Sequence, residues 1–216
     1  MSKLYEPPGD FVALQLLGNT MTEPLKKRLP EIDPDTGHLS SRLVHDGRVV
    51  HLSVDRVRFP DGSEGERELI RHRGASAVVP FLGDPFDPDP QVVLVHQFRY
   101  AAGGFVYEIP AGIPFDEEEW EACARRELEE ETGYVAGKLR HLTSVFTTPG
   151  FTNEEIHIFQ GSKLEKGSVQ RDRDEFIEVV ELPFSEVMKM IQDGEIRDGK
   201  SLVGLLLMDR LRRERV

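Results

Sequence analysis

The residues best suited to chemistry lie in one run, Arg126-Glu127-Leu128-Glu129-Glu130-Glu131. On a helix advancing about 100° per residue, Trp120, Cys123, Ala124 and Leu128 form one apolar stripe. Glu127 follows Trp120 by seven residues and Glu131 follows Ala124 by seven, so both carboxylates fall inside that stripe. Glu130 borders it, whereas Glu121 and Glu129 point elsewhere. Two carboxylates turned toward a core cannot both stay ionised without compensation, because desolvation and mutual repulsion raise at least one pKa. A hard divalent cation supplies that compensation. Mg²⁺ is held by one or two carboxylates while water and substrate phosphates fill its other positions. A four-residue spacing stacks the two side chains one above the other, within reach of a shared metal cluster. A plain solvated helix accounts for Glu121, Arg125 and Glu129. It does not account for Glu127 and Glu131 sharing the angle of Trp120 and Ala124.

Such a helix needs a sheet to pack on. Residues 120–132 are predicted as the helix, with Gly133 ending it and Asp116 with Glu119 forming a capping box ahead of it. Two Val-rich runs, 75–82 and 91–98, read as buried strands separated by turn-forming residues 83–90. Further strands are predicted at 106–109, 139–146, 155–161 and 176–182. Helices are predicted at 185–192, capped by Ser185, and at 202–213, whose basic end complements the macrodipole. Upstream, residues 44–49 read as a hairpin whose Asp46-Gly47 supplies positive φ. A strand of period two follows at 49–59, and 11–17 is a short strand candidate. The order implies an α/β protein, a mixed sheet covered by helices.

Composition narrows the function. The 27 basic and 39 acidic residues leave a formal charge of −12 at pH 7. That balance argues against a nucleic-acid partner, whose binding rests on Lys and Arg neutralising phosphates. The single Cys123 excludes an intramolecular disulfide and suits a reducing compartment. His141 and His157 alternate with apolar strand residues and read as packed or edge histidines rather than metal ligands. The longest apolar stretch, 202–208, is too short to span a bilayer, and the first residues lack a signal-peptide core. A cytoplasmic protein without a membrane partner is the expectation. No Gly-x-Ser-x-Gly elbow or Walker sequence is present.

Gly112, Glu118, Arg126, Glu127, Leu128, Glu130, Glu131 and Gly133 stand at the spacing Gly-x5-Glu-x7-Arg-Glu-U-x-Glu-Glu-x-Gly-U, where U is a bulky aliphatic. This resembles the Nudix box, with Tyr134 the one departure, at the final aliphatic position. The resemblance implies a Nudix-type α/β/α sandwich around a mixed sheet, here with an N-terminal β-rich extension. It also implies metal-dependent hydrolysis of a nucleoside diphosphate linked to another moiety. Glu127, Glu130, Glu131 and the Ala111 carbonyl would then ligate the metal, Mg²⁺ or alternatively Mn²⁺. Arg126 would orient a box glutamate, and Glu118 would support the loop or reach the metal through water.

Outside the box, Arg73-Gly74-Ala75, His96-Gln97-Phe98-Arg99, Glu108-Ile109-Pro110-Ala111-Gly112 and residues 148–154 resemble the ADP-ribose pyrophosphatase branch. The branch implies a substrate of ADP-ribose, cleaved to AMP and ribose 5-phosphate. GDP-mannose, another nucleotide sugar or a dinucleoside polyphosphate are the alternatives. Arg73, Arg99, Glu108 and Glu154 would contact substrate, and Glu175 would act as the base, with Asp174 next in line. A non-catalytic ADP-ribose-binding regulator is the other class, disfavoured because every box glutamate is present. The branch further implies a homodimer built through residues 1–60, with 61–216 as the catalytic domain.

Overall fold

The computed structural model describes residues 37–167 and 176–215, and its two Val-rich runs lie at the middle of separate sheets. Strands β1 (His38–Asp46), β2 (His51–Arg58) and β3 (Glu64–Arg71) form an antiparallel meander. β4 (Ala75–Pro80) and β5 (Gln91–Arg99) are the buried runs, followed by a single turn of 3-10 helix at Tyr100–Ala102. Then come β6 (Gly104–Glu108), the two-residue β7 (Ala111–Gly112), helix α1 (Trp120–Thr132), β8 (Tyr134–Phe146) and β9 (Glu155–Lys166). β10 (Ile177–Pro183), α2 (Phe184–Gln192) and α3 (Gly199–Arg213) complete the chain.

The framework around α1 is the mixed sheet β7-β4-β9-β8, in which β4 and β9 run parallel, and the antiparallel sheet β10-β5-β6. Alternation of side chains along β4 sorts the two cores. Val78 faces α1 with Ala124, Leu128, Trp120, Ala136 and Phe159. Ala77 and Val79 face the other way, into a larger core with Leu94, Ile158, Phe184, Leu205 and Met208. The mixed sheet is therefore covered by α1 on one face and by α3 with the second sheet on the other. Leu128 is fully buried, and truncating it to Ala would cost about 3 kcal/mol in lost burial and cavity formation.

Several local expectations are corrected. α1 begins and ends where its periodicity indicates, and Gly133 closes it at φ 74°, a left-handed conformation that suits glycine. The capping box is absent. Glu119 is the N-cap without a side-chain bond, and Asp116 accepts from Arg73 instead. Ser185 does not cap α2. It lies in the first turn and donates its N–H and Oγ to Asp89 from the β4–β5 connection. The β1–β2 reversal needs no positive φ at Gly47; Gly47 N–H closes a wider loop on the Val50 carbonyl at 2.9 Å. β3 has no counterpart in the sequence reading, because its charged sequence suits an edge strand solvated along one side rather than a buried one. It also carries the N-terminal sheet past the expected boundary at residue 60 to Arg71. The strand expected at 11–17 lies outside the described residues.

His157 is packed, as its apolar strand neighbours imply. Its ring stacks on Trp120 with centroids 4.2 Å apart, its Nδ1 is 2.7 Å from Ser144 Oγ, and it is 5% exposed. Burial first, and the neighbouring His141 second, push its pKa from 6.5 down to about 4. The unfolded chain therefore binds a proton near pH 6.5 that the folded chain refuses until about pH 4. Stability is highest above pH 6.5 and falls as pH drops through that window. Urea unfolding at about pH 7 and about pH 5 should show the wild type losing about 1–2 kcal/mol more than His157→Gln across the interval. Equal losses would contradict this account of the ring.

Candidate active site

β7 crosses in front of α1 because it pairs antiparallel with β4, Ala77 opposite Ala111 and Ser76 opposite Gly112. Glycine at residue 112 leaves room for the Glu127 carboxylate to lie against the backbone. A Cβ there would stand 2.0 Å from the Glu127 carboxyl carbon. One residue earlier, the Ala111 N–H donates to Glu131 Oε2 at 3.2 Å. The β7 backbone is thus brought against the two carboxylates that share the apolar stripe. Glu131 is 5% exposed, and the Glu127 side chain 14%. Glu129 lies elsewhere, its carboxylate beside Gly167 at the end of β9.

Arg126 organises the acids. Its Nε and Nη2 bind both oxygens of Glu118 at 2.9 Å, and its Nη1 reaches Glu127 Oε1 at 2.7 Å and Glu130 Oε2 at 2.8 Å. Nη2 also donates to the Ile113 carbonyl, and the guanidinium lies 4.0 Å over the Phe115 ring. The hydrogen bonds it donates to Glu118, then those to Glu130 and Glu127, overcome desolvation and hold the guanidinium far above its ordinary pKa. It stays charged at any working pH. Among the described residues no three Asp, Glu, His or Cys side chains converge on one point as a finished metal cage. Arg126 Nη1 instead holds Glu127 and Glu130. The donor set still fits a hard cation. Arg126 divides a single positive charge among three carboxylates with Glu131 close by, and every donor is oxygen.

The outlying residues form three groups. Arg73 Nη1 donates to Asp116 at 3.0 Å at the entrance to α1. Arg99 grips Glu108 through Nε and Nη2 at 2.7 and 2.9 Å, and Lys200 of α3 donates to the same carboxylate. Glu108 therefore lies inside the protein with both oxygens engaged, not at an open surface. Burial alone would raise its pKa, but Arg99 and Lys200 outweigh burial and hold it below the usual carboxylate range. Glu154 accepts from Thr147 Oγ1 at 2.7 Å and lies 3.6 Å from His72 Nδ1. Its neighbour Asn153 exchanges two hydrogen bonds with the His72 backbone, tying residues 147–154 to the Arg73 segment. Glu175 and Asp174 lie outside the described residues. Cys123 is fully buried, its thiol pushed up to about 12 by burial and then by Glu127 and Glu118, as a packing residue should be. Sequence reasoning missed Lys200, Asn153 and Asp198, since contacts between residues far apart along the chain leave no local periodicity.

An α/β/α sandwich whose central helix turns arginine-organised glutamates toward a glycine-bearing backbone defines a class, and residues 71–203 match that class as a NUDIX domain. The chain belongs to the Nudix family and is a hydrolase of that family. It is similar to the ADP-ribose pyrophosphatase of Bacillus subtilis (strain 168), 36% identical over 165 residues, 76% of this chain and 86% of that one. It is also 36% identical over 169 residues to the methanol dehydrogenase activator of Bacillus methanolicus, covering 77% of this chain and 89% of that one. A GDP-mannose pyrophosphatase of Klebsiella pneumoniae is 44% identical over 124 residues, 52% of this chain and 61% of its own. The fold matches a crystal structure of an ADP compounds hydrolase with a TM-score of 0.70 at 19% identity, covering 82% and 94% of the two chains. Nudix hydrolases generally need divalent metal ions and act on small nucleotide substrates. Among the described residues no helix is long and apolar enough to cross a membrane.

Proposed function

We propose that the chain hydrolyses ADP-ribose to AMP and ribose 5-phosphate with Mg²⁺. The observation that carries this reading is the seating of Ala111 and Gly112 against Glu131 and Glu127, on a chain similar to an ADP-ribose pyrophosphatase over most of its length. Water oxygen bonds to one phosphorus as the P–O bond of the bridging oxygen breaks, and the water's proton passes to a carboxylate. Glu127, Glu130, Glu131 and the Ala111 carbonyl would hold the cation, with Glu118 supporting the loop or reaching the metal through water. When bound, the cation lowers the pKa of water and offsets diphosphate charge. Arg126 keeps the glutamates in place. Arg73 and Arg99 offer planar forks to the diphosphate and terminal ribose. Glu154 contacts substrate, and Glu108 acts through the Arg99 it grips. Glu175 takes the proton, with Asp174 the alternative.

The 44% identity to a GDP-mannose pyrophosphatase supports the second reading, a GDP-sugar substrate, and Mn²⁺ is the alternative ion. kcat/KM for ADP-ribose, GDP-mannose, diadenosine polyphosphates and NADH, each with Mg²⁺ and Mn²⁺, decides. ADP-ribose should lead by at least about tenfold; a lead for GDP-mannose would overturn the substrate assignment.

The N-terminal β-rich region serves dimerisation and the remainder catalysis. The meander exposes Leu43, Val44, Val49 and Val50, apolar side chains that a second copy of the chain would cover. Light scattering at micromolar concentration should give about twice the 24.5 kDa chain mass. Leu43→Glu should shift it toward monomer. A monomeric, fully active wild type would contradict the assignment.

A further inference from the structure

The first turn of α3 holds the strand that feeds the site, and Lys200 is its least expected member. Its side chain is 10% exposed, and Nζ donates to Glu108 Oε2 and, at 3.0 Å, to Asp198 Oδ2. Asp198 caps the helix by accepting from Ser201 N–H at 3.0 Å and Ser201 Oγ at 2.6 Å. Ser201 Oγ in turn accepts the Ile109 N–H at 2.8 Å. Asp198, Lys200 and Ser201 thus fix both the Glu108 side chain and the backbone one residue on, two residues before Ala111. On its far side Glu108 holds Arg99 by two hydrogen bonds.

The four charges Arg99, Glu108, Asp198 and Lys200 balance. Without Lys200 the cluster carries one excess negative charge, with Asp198 losing its ammonium partner and Glu108, 4% exposed at its side chain, left to Arg99 alone. Such a carboxylate draws the guanidinium inward and repels an incoming diphosphate. We infer that Lys200 is a positioning residue for substrate. It neutralises buried Glu108 so that Glu108 can present the Arg99 guanidinium to the diphosphate. The inference rests on the reading of Arg99 as a diphosphate contact, and it adds a residue that never touches the substrate itself.

The test uses the full-length chain and steady-state hydrolysis of ADP-ribose with Mg²⁺, with Tm recorded for every variant. Lys200→Met should raise KM about tenfold while kcat changes less than about threefold, because the lost interaction serves binding of ground and transition states alike. Lys200→Gln, closer in polarity, should behave the same way if Lys200→Met folds poorly. Lys200→Arg, which restores the charge, should return KM to within about twofold of wild type. In a Glu108→Gln background, Lys200→Met should add less than about twofold, since the Glu108 charge that acts on Arg99 is already gone and only the pairing of Lys200 with Asp198 is lost. An unchanged KM in Lys200→Met and Lys200→Gln, or an equal rise in KM with and without Glu108, overturns the inference. Arg99→Ala separates the two claims. If its KM is unchanged, the reading of Arg99 fails and the inference falls with it. If Arg99→Ala raises KM and Lys200→Met does not, the inference alone is lost.

Discussion

Glu131→Gln and Glu127→Gln should each reduce kcat by roughly a hundredfold or more while the protein still folds. The substitution is isosteric. An amide oxygen in place of the Glu131 carboxylate can still accept the Ala111 N–H, and an amide in place of the Glu127 carboxylate still fits against Gly112. What disappears is a charged oxygen donor for the cation, and losing that much transition-state charge stabilisation costs about 3 kcal/mol of barrier. Glu129→Gln is the internal control. It has the same residue type on the same helix, but its carboxylate lies by Gly167 rather than by β7, and its turnover should stay within about twofold of wild type. Circular dichroism and Tm confirm folding, and kcat for ADP-ribose reads the effect. Equal losses at Glu129 and Glu131 would show that the helix does not present its acids as described.

The second large effect is expected at Glu175. Removing a general base leaves binding intact and slows the proton transfer that belongs to the transition state. Glu175→Gln should therefore lower kcat by about 10² to 10⁴ with KM changed only a few-fold. The position is argued from sequence, since the described structure resumes at Phe176. There the Phe176 carbonyl accepts the Phe98 N–H at 3.1 Å, one residue from Arg99. Full activity in Glu175→Gln together with a dead Asp174→Asn would move the base by one residue.

The sequence made the chemistry of α1 legible because helical phase is a local property. Residues 120–133 carry their own apolar stripe, their own stop at Gly133 and the carboxylates out of register with a solvated face. The Val-rich β4 and β5 were legible for a similar reason, since a strand buried on both faces reads as a continuous apolar run. Edges and ends were not. β3 alternates charges and resembles a loop, while Ser185 looks like a cap yet serves Asp89, ninety-six residues away. The Arg126 cluster was half visible. Its i, i+4 pairing with Glu130 follows from spacing, whereas its grip on Glu118 depends on how the preceding loop folds back. Lys200 was invisible, because nothing near residue 200 announces a carboxylate on β6.

The most direct test of the account is AMP release from ADP-ribose by the purified chain, stripped with EDTA and then supplied with Mg²⁺. The account predicts negligible release after chelation and full recovery on adding the ion, with AMP and ribose 5-phosphate formed in equal amounts. AMP release at an undiminished rate in EDTA, or no AMP with Mg²⁺ present, would contradict it.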